Sequence, residues 1–136
     1  MTRKILLSGL VAGIALLLLS VIGLYGTIWL FPRLAVQYFD PQFDSQSERA
    51  ILYFMHPFVA GLALAWFWDR CKSLFTGSSL GRAIEFGCLY CLVAVFPMMW
   101  LIYSAIDVSL ALAGTWLLLG VLQGMAAGLV LEKMNA

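Results

Sequence analysis

Four groups of residues in this chain have types and spacings that could do chemistry. Cys88-Leu89-Tyr90-Cys91 is a C-x-x-C pair, a spacing that supports thiol–disulfide exchange in a soluble βαβ setting. Met55-His56 and Met98-Met99 offer thioether and imidazole, ligands that suit a soft metal such as Cu(I). Gln123 is the most deeply placed strongly polar side chain of an apolar run, and Trp116 falls near it on a helical wheel; the two could contact a solute. Glu85 opens another apolar run, and a membrane-embedded acid is the proton site of small exporters.

Each group also has a plainer reading. Thiols in apolar surroundings are inert. Quinone-coupled membrane oxidoreductases carry their cysteine pairs toward the oxidising side, whereas this pair is expected near the cytoplasmic face, and residues 32–49 hold no shuttle cysteine. Adjacent residues diverge by about 100° on a helix, so Met55, His56, Met98 and Met99 cannot all converge. Core packing by methionine is the expected role. The chain has one histidine, so a haem would need His56 from each of two copies. No metal or other cofactor is therefore expected. Gln123 is expected to hydrogen-bond across a bundle, and Glu85 to complement a helix N-terminus with Arg82 as its partner. Asp69 and Arg70 read as solvated flanking charges. No Ser-His-Asp set, phosphate-binding glycine loop or HExxH occurs.

The elements that position these residues are four stretches without Asp, Glu, Lys or Arg, at 5–31, 50–68, 86–106 and 108–131. Each approaches the ~20 apolar residues needed to cross a hydrocarbon core of ~30 Å. Hydrophobic residues make up 63 % of the chain and charged residues 11 %. Soluble domains hold about 25 % charged residues, so the composition predicts an integral membrane protein. Helices are expected at about 5–31, 47–68, 83–106 and 108–131, in a single domain over residues 1–136. The fold class is all-α, a four-transmembrane-helix antiparallel bundle. A net charge of +1 argues against a nucleic-acid partner, because that affinity rests on many phosphate-neutralising cations.

Charge sets the orientation. The N-terminus, the 69–82 loop and the C-terminus carry Arg3, Lys4, Arg70, Lys72, Arg82 and Lys133; the other side carries Arg33 and Arg49. Basic residues stay on the cytoplasmic side, so both termini are expected inside, in a bacterial cytoplasmic membrane. The first stretch reads as a retained signal anchor, since a cleavable core is only ~7–15 residues long. The three cysteines do not form a disulfide framework. Tyr25, Trp29, Tyr53, Trp66, Trp68, Trp100 and Tyr103 are expected in two interfacial belts. Ser45 and Glu48 fit a capping box before the second helix, and Asp107 or Ser109 can cap the fourth. Residues 34–39 suggest an interfacial helical turn stopped by Asp40-Pro41.

Packing signals come from small residues. Gly120, Gly124 and Gly128 recur every four residues, and Gly9 and Gly13 do the same in the first helix. Such faces let membrane helices approach closely. At matching depth, the first and fourth helices are expected to meet through these glycines; the competing reading makes one face a homodimer seam. Gly61/Ala65 and Gly87/Cys91 supply further small faces. Pro57 and Pro97 interrupt the second and third helices, and paired kinks would open a cleft near both.

Residues 82–131 run from Arg82 into Phe86-Gly87, through a mid-helix Pro97 and a short hairpin, to Gln123-Gly124 and Gly128. This half resembles small bacterial four-helix inner-membrane proteins of uncharacterised families. The resemblance implies a bundle and carries no site residue with it. The leading expectation is a non-enzymatic scaffold, accessory or interaction protein, with lipid and either a second copy or another membrane protein as partners. A second reading is a small-solute or ion permease, monomeric or dimeric, using the cleft near Pro57 and Pro97 with Gln123, His56 and Trp116. A third is a redox or metal-binding protein using Cys88/Cys91 or His56.

Overall fold

The computed structural model describes residues 2–40 and 47–135, and all regular elements among them are helical. Helix α1 spans Thr2–Leu30, the short α2 Pro32–Ala35, α3 Ser47–Cys71, α4 Ser79–Ala105 and α5 Leu110–Asn135. Four of these are long and apolar enough to cross a membrane. The expected capping box at Ser45 and Glu48 lies outside the residues described in this detail.

Local chemistry sets the ends. Pro32 stops α1 and starts α2, where its fixed φ suits a first helical turn. The backbone then tightens into a 3-10 turn, Val36–Phe39, and leaves it at Asp40 in extended geometry, as a residue before proline must. Helix α4 begins at Ser79, four residues ahead of expectation. Gly77 has φ +102°, open to glycine at little steric cost, and the Ser78 hydroxyl accepts from the Gly81 amide at 3.2 Å. Ser109, rather than Asp107, caps α5, its hydroxyl accepting from the Leu112 amide at 3.2 Å.

The helices associate as two close pairs. In the first, α1 lies on α3: an added Cβ at Gly9 would sit 2.9 Å from the Leu62 backbone, and at Gly13 2.9 Å from that of Phe58. In the second, α5 lies on α4, with Gly120 against Val95, Gly124 against Tyr90 and Gly87, and Gly128 against Ala83. The glycines of α1 and α5 therefore do not face one another, contrary to expectation. Matching depth left the azimuth open. On a 3.6-residue helix the 120/124/128 stripe is about 100° from the 119/123 stripe, and the latter faces α1. There Leu119 packs on Gly23 and Gln123 reaches Ser20.

Helices α3 and α4 share no broad backbone contact; aromatic side chains bridge them. Trp68 and Phe86 meet edge to face at 5.1 Å between centroids, and Phe75 stacks on Trp68 at 5.5 Å. Trp68 is fully buried, so its ring packs inside the bundle and does not face outward. The others expected in the interfacial belts, Tyr25, Trp29, Tyr53, Trp66, Trp100 and Tyr103, are all exposed.

Proline acts differently in the two helices. Helix α3 continues through Pro57, which is buried against α1, whereas Pro97 is exposed. In α4 the backbone opens into a π turn over Cys91–Val95, with the Phe96 amide bonding to the Cys91 carbonyl. Pro97 has no amide to donate and its ring would strike the Val93 carbonyl; widening the preceding turn accommodates both. The C-terminal part of α4, Phe96–Ala105, packs on α5 and its own π turn and makes no broad contact with α3. The two prolines thus do not line one cleft.

Candidate functional site

The site with the strongest chemical character lies at the Trp68 end of the molecule. The turn at Gly77-Ser78 starts α4 so that Arg82 stands in its first turn. From there Arg82 Nη1 donates to Glu132 Oε1 at 2.9 Å, a charge-assisted bond. Its Nη2 donates to the Lys72 carbonyl at 3.3 Å, and its Cζ lies 5.6 Å from the Trp68 ring centroid. Asp69, one residue beyond Trp68, pairs with Lys72 at 3.8 Å. One guanidinium thus ties the end of α3, the start of α4 and the end of α5 together.

Burial makes this cluster unusual. The side chain of Glu132 is 6 % exposed, that of Asp69 9 % and that of Arg82 21 %. Charges in such a place persist only when paired, because desolvation costs several kcal/mol per ion. Four buried polar atoms here lack a protein partner: Trp68 Nε1, Asp69 Oδ2, Arg82 Nε and Glu132 Oε2. Two are donors and two are acceptors.

Sequence reasoning paired Arg82 with Glu85, but Glu85 is exposed and Arg82 takes Glu132. The missed signal was periodic. Glu132 continues the series 120, 124, 128 by another four residues, so it falls on the same face, toward α4. Asp69 was read as solvated because it flanks an apolar stretch; its side chain is instead largely buried and pairs with Lys72.

The residues singled out from sequence are distributed over the molecule. Gln123 Nε2 donates to Ser20 Oγ at 2.8 Å and lies 3.4 Å from the Leu16 carbonyl, linking α5 to α1. The Trp116 indole donates to the Tyr38 hydroxyl at 2.7 Å, and Gln37 Oε1 accepts from the Ser109 amide at 3.2 Å. The Pro32–Phe39 segment is thereby fastened over the N-terminal end of α5, a role sequence reasoning did not give to Tyr38 or Gln37. His56, Met55 and Met98 are exposed on their helices. Among the described residues no three His, Cys, Asp or Glu side chains group as a metal site. Cys88 and Cys91 are free thiols. With Leu92, Phe96, Leu117 and Val121 they line an open apolar groove of about 260 Å³ beside the π turn.

Gln123→Leu is expected to destabilise the α1–α5 contact by about 0.6–1.7 kcal/mol. The cost stays small because Ser20 Oγ keeps its own bond to the Leu16 carbonyl at 2.9 Å. Reversible unfolding in mixed micelles measures it; a loss above about 3 kcal/mol would show that Gln123 does more than link two helices.

Comparison with known proteins gave no match: no family model, curated protein or solved structure is significantly similar to this chain.

Proposed function

We propose that the chain is a small non-enzymatic scaffold or interaction protein of a bacterial cytoplasmic membrane. In this reading it is an antiparallel four-span bundle with both termini in the cytoplasm. The observation that carries it is an unequal distribution of packing. Gly9, Gly13, Gly61, Gly120, Gly124 and Gly128 and the Gln123–Ser20 link are engaged within the molecule, whereas Phe96–Ala105 of α4 contains no buried residue. Over its most apolar stretch α4 is 17 % buried against 28 % for each of the other spans. Leu92, Val93, Phe96, Met98, Trp100 and Leu101 are exposed along it. A helix that packs poorly on its own bundle has a face free for another membrane helix, and association there rests on van der Waals fit.

The glycine seams favour this over a glycine-mediated homodimer, since Gly9, Gly13, Gly61, Gly120, Gly124 and Gly128 already sit at close contacts within one chain. Permeation has less support, with Gln123 engaged by Ser20 and Trp116 by Tyr38.

A photoreactive residue placed at Val93 or Trp100 is expected to cross-link one defined membrane protein in cells. The same residue at Leu18 or Leu118, exposed on other helices, is expected to react with lipid alone. Equal labelling from all four positions, or solute flux by the purified chain in vesicles, would refute the proposal.

A further inference from the structure

The Arg82–Glu132 cluster presents a combination of polar atoms that narrows what can bind there. Trp68 Nε1 and Arg82 Nε are donors; Asp69 Oδ2 and Glu132 Oε2 are acceptors; all four are buried without a protein partner. Burying a hydrogen-bonding atom unsatisfied costs about 1–3 kcal/mol, and among the described residues these four side-chain atoms are the ones so placed. They belong to residues already joined to one another: Asp69 to Lys72, the Lys72 carbonyl to Arg82, and Arg82 to Glu132 and the Trp68 ring.

Charge and size then select the ligand. In the two ion pairs described here, two cations, Arg82 and Lys72, face two carboxylates, Asp69 and Glu132. An added anion would meet two carboxylates, and an added cation would meet a guanidinium and an ammonium. The complementary ligand is neutral and both donates and accepts. Arg82 lies over the Trp68 ring, which Phe75 and Phe86 pack against in turn, and the low exposure of Glu132 and Asp69 favours a very small one. Water meets these conditions, and buried waters typically make about three bonds to otherwise unsatisfied polar groups.

We propose that the Arg82–Glu132 cluster is an internal water-binding site, in which ordered water accepts from Trp68 Nε1 or Arg82 Nε and donates to Asp69 Oδ2 or Glu132 Oε2. Water then supplies hydrogen bonds that these buried polar atoms do not find within the protein. It also gives the junction of α3, α4 and α5 a polar filling that side chains alone do not provide.

The test is a crystal structure of the full chain grown in a lipid mesophase, with bromide and rubidium replacing chloride and potassium. Expected is water density within hydrogen-bond distance of Trp68 Nε1 and of at least one carboxylate oxygen, with no anomalous signal there. Trp68→Phe, which keeps the ring packing and removes the donor, is expected to lose the water bonded to that atom. If the variant does not fold, the wild-type density decides. Anomalous density in the cluster would make it an ion site and overturn the proposal. Direct pairing of the four atoms with protein groups, leaving no water, would overturn it equally.

Discussion

Gly61→Ala will weaken the α1–α3 pair by about 1–3 kcal/mol, the usual cost of overpacking a close contact, and the upper end is expected. The reason is what the new methyl group meets. It would lie 2.5 Å from both the Gly13 amide nitrogen and the Gly9 carbonyl oxygen, and 2.8 Å from the Gly13 Cα. All three are backbone atoms, so no side chain can rotate away and the two helices must move apart. Gly23→Ala is the informative contrast, since the three atoms nearest its methyl all belong to the Leu119 side chain, which can turn aside. Gly26→Ala and Gly114→Ala meet nothing within 4 Å, and replacing a mid-helix glycine there is expected to be neutral or stabilising by up to ~1 kcal/mol. Unfolding free energies of the four variants in one micelle composition test the ranking. A Gly61→Ala protein as stable as Gly26→Ala would mean that α1 and α3 do not touch along this line.

Arg82→Ala is expected to cost about 3 kcal/mol, the lower end for breaking a buried ion pair, because Arg82 retains some exposure while Glu132 does not. The damage comes from leaving the Glu132 carboxylate buried beside apolar side chains, in addition to the lost 2.9 Å bond. Replacing both partners with methionine should recover most of that loss, since an apolar pair of similar length leaves no stranded charge. Thermal unfolding of the two single variants and the double variant gives the coupling directly. Additive losses would show that the two groups act independently, contrary to the geometry. The coupling should also survive raised salt, which screens exposed pairs far more than buried ones.

The four long apolar helices were legible because a run of uncharged residues has only one common explanation at this length. Their partners were less so. Glycine spacing announces a close-packed face but not its neighbour, and the faces of Gly9 and Gly120 turned out to point at α3 and α4 instead of each other. Gln123 was readable as an interhelical link because an amide in an apolar run must find a partner. The polar cluster escaped notice for a physical reason: Asp69 and Glu132 flank apolar stretches, and flanking charges usually reach water. Their burial comes from the packing together of the ends of α3, α4 and α5, a tertiary event that no local pattern records. The latch of Tyr38 onto Trp116 spans 78 positions and was equally invisible.

The π turn has a consequence for the whole second half of α4. Val95 stands eight positions after Gly87, and on an uninterrupted α-helix it would point about 80° away from it. A turn closed by a five-residue hydrogen bond takes up about one extra residue, which swings Val95 back toward Gly120. Helix α4 is therefore written in two phases, and a wheel drawn from its first half misplaces Met98, Met99 and Trp100 on the wrong side. Between descendants of a common ancestor, a one-residue gain or loss is best tolerated within Cys91–Val95, where the helix already carries the surplus.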